Sequence, residues 1–210
     1  KLQVPGRHNV YNAACVIICT HQLGLDLVRV GEILSLYQGV KRRFQLIGEV
    51  DTRSIIDDYA HHPSEIKAVL NTAKMQNRPI TIIFQPHRYS RTQALLSQFA
   101  SAFNQADRII LMDIYAASEK RENFSIRIED LVQQIQHNNV AKTVEYLPDF
   151  ESIAHYLMKY PLSNEMILTT GAGNVTDLSV YLVEELNKNT KKGKVVYAPL
   201  HRTRQKRKVV

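Results

Sequence analysis

Two carboxylates and two imidazoles fall within six positions in Asp57-Asp58-Tyr59-Ala60-His61-His62. That density of proton carriers and ligands can move a proton, hold a cation or orient a nucleotide. Asp58 and His61 sit on what reads as the turn into a helix, whose Pro63 suits the first helical position and whose Glu65 suits the first turn. Two readings are open. Either one histidine caps the helix while Asp58 shapes the turn, or at least one of these side chains serves a ligand or a reaction, as a strand-end position favours. A carboxylate facing a cleft contributes little packing, so Asp58→Asn is expected to slow turnover without unfolding the domain.

Arg88 and Arg91 form a second cluster, in His87-Arg88-Tyr89-Ser90-Arg91-Thr92. Ser90 and Gln93 fit a capping box, which puts Arg91 in the first turn of the next helix. A cation there opposes the helix dipole, so a compensating anion is expected. Two guanidinium groups beside helix amides make a receptor for carboxylate or phosphate, the alternative being surface arginines paired with nearby acids. The adjacent pair Arg42-Arg43 is either a plain basic junction or a reach toward a nucleotide, and position does not decide between them. Asn9 and Asn12, three apart, share a helix face, with a cap as the default role for Asn9. Gly171-Ala172-Gly173-Asn174 lacks the full G-x-G-x-x-G pattern and reads as a tight strand-to-helix turn.

These clusters must be held by something regular. Helical patterns cover about Asn9 to Gln22 and Leu27 to Tyr37, ended by Gly39. From there the texture alternates. Strand-like runs cover Phe44 to Val50, Ser54 to Tyr59, Ile80 to Phe84, Arg108 to Met112, Thr143 to Tyr146 and Met166 to Thr170. Helical patterns lie at about Ser64 to Met75, Thr92 to Asn104, Ile126 to Gln136, Phe150 to Lys159 and Val175 to Asn187. Short apolar runs spaced by amphipathic helices predict an α/β fold: a doubly wound, mostly parallel sheet covered on both faces, preceded by a helical segment. In such a sheet ligands bind beyond the C-terminal strand ends, where the clusters above fall.

Bulk composition narrows the classes. With 44% hydrophobic and 22% charged residues the chain is an ordinary globular protein, and no apolar run is long enough to cross a bilayer. No secretory leader is expected at Lys1 to Gly6. Cys15 and Cys19, four apart in a helical pattern, read as buried thiols of a reducing cytoplasm. The net charge is +7, but Lys188 to Val210 holds nine Lys or Arg and no acid. Removing those nine from the 27 basic residues leaves 18 against 20 acidic ones, a net of −2 for the body. The tail is expected to be disordered, binding nucleic acid at most nonspecifically.

In order along the chain, Pro5-Gly6-Arg7-His8-Asn9-Val10-Tyr11-Asn12-Ala13, Gly39-Val40-Lys41-Arg42-Arg43-Phe44, Asp57 to Pro63, His87 to Thr92 and Asp113-Ile114-Tyr115 resemble the Mur ligase family. Within it, the Asp57–Pro63 and His87–Thr92 stretches resemble the L-alanine-adding branch more than the murein tripeptide ligase. The resemblance implies a Rossmann-like C-terminal domain at 43–189 that binds the amino acid. Residues 1–42 would be the helical end of the central ATP-binding domain, and 190–210 a basic tail. It implies a cytoplasmic ligase of peptidoglycan synthesis that uses ATP and Mg²⁺ to activate the carboxylate of UDP-N-acetylmuramate as an acyl phosphate, which the amine of L-alanine attacks. By similarity Asn9, Asn12, Arg43, Asp58 and Tyr59 would serve ATP. His61, Arg88 and Arg91 would orient L-alanine and the transferred group, and with Asp58 they would make up the catalytic set. Magnesium would be held chiefly by the upstream half of the enzyme, with His61 as its one potential contact here. No G-x-x-x-x-G-K-[ST] phosphate loop occurs in this sequence, so the isolated chain is expected to be inactive. The chain also departs from the family's usual pattern at Asn174 and across Ala116 to Glu119. A non-catalytic binding module of the same fold and a basic-tailed nucleic-acid binder are the alternatives from other classes.

Overall fold

Isoleucine-rich runs flanked by amphipathic helices have one economical arrangement: the runs pair in the middle and the helices cover both faces. The computed structural model, which describes residues 1–138, 142–188 and the backbone of 196–197, has that arrangement. Two helices come first, α1 (Arg7–Gln22) and α2 (Leu27–Leu36). There follow β1 (Gln45–Val50), β2 (Arg53–Asp58), α3 (Pro63–Lys74), β3 (Ile80–Phe84), α4 (Tyr89–Ala94), α5 (Leu96–Ala100), β4 (Arg108–Leu111), α6 (Ile128–Asn138), β5 (Thr143–Tyr146), α7 (Phe150–Lys159), β6 (Met166–Thr170), α8 (Val175–Lys188) and β7 (Val196–Tyr197). The sheet order is β5-β4-β3-β6-β2-β1-β7, parallel from β5 to β2, with β1 antiparallel to both its neighbours. Two residues of the basic tail thus extend the sheet through β7; the rest of the tail lies outside the described residues.

Every position of β2, β3, β4 and β6 is buried. Side chains alternate between faces. Ile82 and Phe84 join Ile66 and Leu70 of α3, Phe99 of α5 and Leu131 of α6, while Ile83 and Ile167 join Leu157 of α7 and Leu182 of α8. Phe84 lies 5.4 Å, centroid to centroid, from both Phe99 and Phe103. Truncating any of these rings would cost about 3–5 kcal/mol.

The expected helix from Thr92 to Asn104 is broken instead at Leu95, which leaves helical geometry at φ −110°, ψ 13°. Leu95 and Leu96 pack against the same core, whereas an unbroken helix would turn successive side chains about 100° apart. The strand expected from Phe44 starts at Gln45, because Phe44 is left-handed at φ 47° and cannot continue a pleat.

Cys15 and Cys19 are exposed, not buried. Their helix carries an uncovered apolar surface, with Val16, Ile17, Ile18 and Leu23 also exposed, and α2 buries no residue at all. Helical periodicity marked these positions as apolar, but although α2 packs against α1 the side chains stay exposed.

Candidate functional site

Because β4, β3, β6 and β2 are adjacent and parallel, their C-terminal ends bring Asp113–Tyr115, Gln85–Arg91, Gly171–Asn174 and Asp57–His61 onto one edge of the sheet. The turn after β6 is tight, as expected. Gly171 has φ 146°, and a Cβ there would stand 2.7 Å from the Gln85 carbonyl oxygen. The Gln85 side chain fastens the turn by donating to Asn174 Oδ1 at 2.8 Å and accepting from the Val175 amide at 3.1 Å.

The two aspartates of β2 are interior fasteners. Asp57, fully buried, accepts from Thr169 Oγ1 (3.1 Å), Thr176 Oγ1 (2.8 Å) and Arg42 Nε (3.2 Å). Asp58 is 4% exposed and accepts from the amides of Phe44 (2.7 Å) and Ala60 (2.8 Å). Burial pushes the Asp58 carboxyl above its ordinary range, against those two amides and Arg43. The expectation that Asp58 faces a cleft with little structural role is therefore corrected: one oxygen ties Phe44 to the end of β2 and the other fastens the turn at Ala60.

The junction separates the two arginines. Arg42, left-handed at φ 58°, donates to Asp57 and, at 2.6 Å, to the Gly171 carbonyl. Its guanidinium lies 4.7 Å from the centroid of Tyr59. Arg43 is exposed and looser over the same ring at 5.9 Å. Of the pair, Arg43 is the one free to meet a ligand.

His62 caps α3, accepting from the Ser64 amide, with Glu65 completing a capping box and Pro63 at the helix start. That leaves His61 outside the cap. Its Nδ1 lies 2.9 Å from the Tyr59 carbonyl oxygen, which can only accept, so Nδ1 carries the proton and Nε2 of the neutral ring is the acceptor. His87 is the opposite case. Its Nδ1 lies 3.4 Å from Arg91 Nη1, which can only donate, so the proton sits on Nε2. Burial and the neighbouring charges of Arg91, His61 and Arg88 lower the His87 pKa, keeping the ring neutral near pH 7. The two rings are 6.0 Å apart. In their neutral forms the two rings present one acceptor and one donor side by side.

Tyr115 stacks on His87 at 5.7 Å and 14° and accepts from the Arg88 amide at 2.8 Å. Arg88 is the left-handed cap residue of α4, at φ 71°, and its guanidinium is exposed with no hydrogen bond or ion pair among the described residues. Ser90 is not the cap: it lies inside α4, and its amide (3.0 Å) and hydroxyl both donate to Glu119. The compensating anion expected at this helix terminus is Glu119. Asn9 is likewise not a cap. Gly6 holds that position in α1, and Asn9 Nδ2 donates to the Pro5 carbonyl at 2.6 Å. Asn12 is exposed on the same helix.

The structure therefore gathers Tyr59, His61, Arg88 and Arg91 at one edge with Arg43 beside them, while Asn9 and Asn12 stand on α1. His87, Tyr115, Glu119, Arg42 and Asp57 are the members that reading by residue type did not assign; the four-residue interval from His87 to Arg91 was a usable signal. For magnesium the fit is poor. It prefers a set of oxygen ligands, the oxygens of Asp57 and Asp58 are engaged, and among the described residues no group of three or more His, Cys, Asp or Glu is disposed to hold a metal. The edge is an open surface. Concavities of about 840 Å³ beside His155 and Tyr156 and about 550 Å³ beside Arg53 and Met158 lie elsewhere, while one of about 450 Å³ between Val4, Gly39 and Ile56 is lined by Arg43.

This arrangement can be set against known proteins. Residues 42–173 match the family model described as "Mur ligase, glutamate ligase domain". The chain belongs to the Mur ligase family. It is 44% identical over 189 residues to the UDP-N-acetylmuramate–L-alanine ligase of Caldanaerobacter subterraneus subsp. tengcongensis, covering 90% of this chain and 40% of that protein. The enzyme of the same name from Alkaliphilus metalliredigens is 44% identical over 186 residues, with 88% and 40% covered. Among solved structures, the UDP-N-acetylmuramate-alanine ligase of Thermotoga maritima superposes with a TM-score of 0.74 at 31% identity, covering 90% of this chain and 40% of that one. A murein peptide ligase from Psychrobacter arcticus, at TM-score 0.63 and 22% identity over 89% of this chain and 38% of that one, shares the fold. The chain spans about 40% of the length of the curated relatives it matches. No helix among the described residues is long and apolar enough to cross a membrane.

Proposed function

We propose that this chain is the amino-acid-binding part of an ATP-dependent ligase that joins L-alanine to UDP-N-acetylmuramate in peptidoglycan synthesis, and that it works with an upstream half supplying the phosphate loop and the magnesium site. The observation that carries the reading is the strand-end edge where Arg88 and Arg91 stand next to two imidazoles whose Nδ1 atoms face partners of opposite hydrogen-bonding sense, a carbonyl oxygen for His61 and a guanidinium for His87. Relatives 44% identical that bear the L-alanine ligase name support it.

On this reading Arg88 and Arg91 hold the carboxylate of L-alanine through charge-assisted hydrogen bonds. The His87 Nε2–H adds a donor, and the acceptor nitrogen of His61 faces the nitrogen end of the same amino acid, orienting the amine, free once the ammonium has lost a proton, for attack on the acyl phosphate with phosphate as the leaving group. Holding a small zwitterion by both ends converts an encounter into a fixed approach. Arg43, resting over Tyr59, reaches the nucleotide, with Asn9 and Asn12 contributing from α1. Asp58 acts indirectly, by holding the backbone that carries Arg43 and His61. ATP and Mg²⁺ supply the phosphoryl activation when bound, mostly through the upstream half.

The test is ligation of L-alanine to UDP-N-acetylmuramate by the chain joined to its upstream half. ATP-dependent release of phosphate that needs both substrates supports the reading. Activity with a different amino acid and none with L-alanine removes it.

A further inference from the structure

Helix α4 has an unusual start. Its cap residue is Arg88, whose guanidinium has no acceptor atom and so cannot satisfy the helix's first amides. Arg88 is also left-handed, a conformation that costs a residue with a Cβ roughly 1–2 kcal/mol. Arg88 then stands at the positive end of a helix of only six residues, whose last turn holds Arg91. Alone, such a turn would not hold its shape.

The loop after β4 supplies what is missing. Tyr115 takes the Arg88 amide and stacks on His87, and His87 and Tyr115 form a parallel bridge. Four residues on, Glu119 receives the Ser90 amide on one oxygen and the Ser90 hydroxyl on the other. The cap of α4 thus arrives from 29 positions away in the chain. We infer that Glu119 is a positioning residue, the fixed anion that holds the α4 terminus so that Arg88 and Arg91 present a preformed receptor to the amino-acid carboxylate. The inference rests on the assignment of Arg88 and Arg91 to that carboxylate. Consistent with it, the Glu119 carboxyl is held below its ordinary range by the Ser90 hydrogen bonds and by Arg88, which outweigh a desolvation effect in the other direction.

The geometry allows one rival account, in which Glu119 occupies the anion site and competes with the substrate. The two differ in sign. In the chain joined to its upstream half, Glu119→Ala is expected to raise the KM for L-alanine at least tenfold while leaving the KM values for ATP and UDP-N-acetylmuramate within twofold. Glu119→Gln, which keeps one acceptor oxygen, is expected to fall between wild type and Glu119→Ala, and it carries the test if Glu119→Ala does not fold. An unchanged or lowered KM for L-alanine overturns the inference, and so does an equal rise in all three KM values, which marks a merely structural residue. Arg88→Ala and Arg91→Ala run alongside. If they leave the L-alanine KM unchanged, the assignment of the edge fails and takes Glu119 with it. If they raise it and the Glu119 variants do not, only the role of Glu119 fails.

Discussion

The carboxylate of Asp58 receives the backbone amide of Phe44, fourteen residues earlier, at 2.7 Å. Phe44 is left-handed, and so is Arg42, whose carbonyl accepts from the Tyr59 amide at 2.8 Å. The junction is therefore folded against the end of β2, and Arg43 is carried with it. Asp58→Ala leaves two amides without acceptors and should destabilise the domain by about 2–4 kcal/mol. Asp58→Asn, which keeps one acceptor but turns a donor toward the other amide, should cost about 1–3 kcal/mol. Urea denaturation of the two variants measures this; stability equal to wild type would return Asp58 to the exposed, cleft-facing role.

Because burial raises the Asp58 pKa, the sign of its pH dependence is set. The folded state keeps the proton longer than the unfolded one, so this contribution is present below about pH 4 and is lost as pH rises through the folded value. The wild type minus Asp58→Asn stability difference should therefore shrink as pH rises from the acid side. A difference that grows over the same range would contradict the burial argument.

Arg88→Ala or Arg91→Ala should raise the KM for L-alanine and lower kcat in the enzyme completed by its upstream half. Loss of one charge-assisted hydrogen bond is worth about 1.5–3 kcal/mol, roughly ten- to hundredfold in kcat/KM. The Arg88 guanidinium has no hydrogen bond or ion pair among the described residues, so its removal should leave the melting temperature nearly unchanged. Steady-state kinetics and a thermal melt on the same preparation separate the two effects.

His87 gives the opposite pH sign to Asp58. Its folded pKa is lowered by burial and by Arg91, His61 and Arg88. The unfolded chain therefore takes the proton first, near pH 6.5, and stability present above that value is lost as pH falls toward the folded pKa. Replacing His87 with Gln should flatten the stability profile between about pH 7.5 and 5.5. An unaltered slope in denaturation experiments at the two pH values would rule out His87 as its source.

How much of this was legible in the residues can be seen at particular places. Ile80–Phe84 and Met166–Thr170 were readable to the residue, because a strand buried on both faces is an unbroken apolar run bounded by polar turns. The α3 start was readable because Pro63 and Glu65 are local signals. The α4 start was not. Ser90 and Gln93 spell a capping box, but the true acceptor is Glu119, and a bond across 29 positions leaves no local pattern. Asp58 was misjudged for a related reason: residue type marks a carboxylate, while its burial depends on where Phe44 lies. The cysteines of α1 were judged from periodicity alone, which reports that a face is apolar and not whether anything covers it.

At the opposite end of the sheet, Glu165 is fully buried between Thr81, which donates to it, and Arg108 at 3.3 Å, with Arg108 also donating to the Tyr160 carbonyl at 2.8 Å. Removing one member strands the other. Glu165→Leu should cost about 3–5 kcal/mol, whereas Glu165→Leu with Arg108→Met should recover most of that loss. A double-mutant cycle by chemical denaturation decides it; additive losses would show that the pair is not coupled.

The 210-residue chain by itself should fold and yet fail to ligate. Its sheet has helices on both faces and fully buried phenylalanines between β3 and α5, a core sufficient for independent stability. Helices α1 and α2 are the weak part, with exposed Val10, Ile18, Leu23, Val28, Ile33 and Leu36, and their amides should exchange with solvent first. The sequence contains no phosphate loop, and phosphoryl transfer depends on positioning and neutralising the transferred group. Arg43, Tyr59, Asn9 and Asn12 offer a nucleotide one cation, one ring and two amides, none of which neutralises the transferred phosphate. ATP binding measured by calorimetry should therefore be far weaker than micromolar, and phosphate release absent with both substrates present. Adding the upstream half in trans should restore turnover at high concentration of both pieces, because the edge bearing Arg88 and Arg91 is formed before the halves meet. Turnover by the chain alone would overturn the division of labour; failure of the mixed halves, with each shown to be folded, would mean that the covalent connection between the upstream half and Lys1 is required for closure.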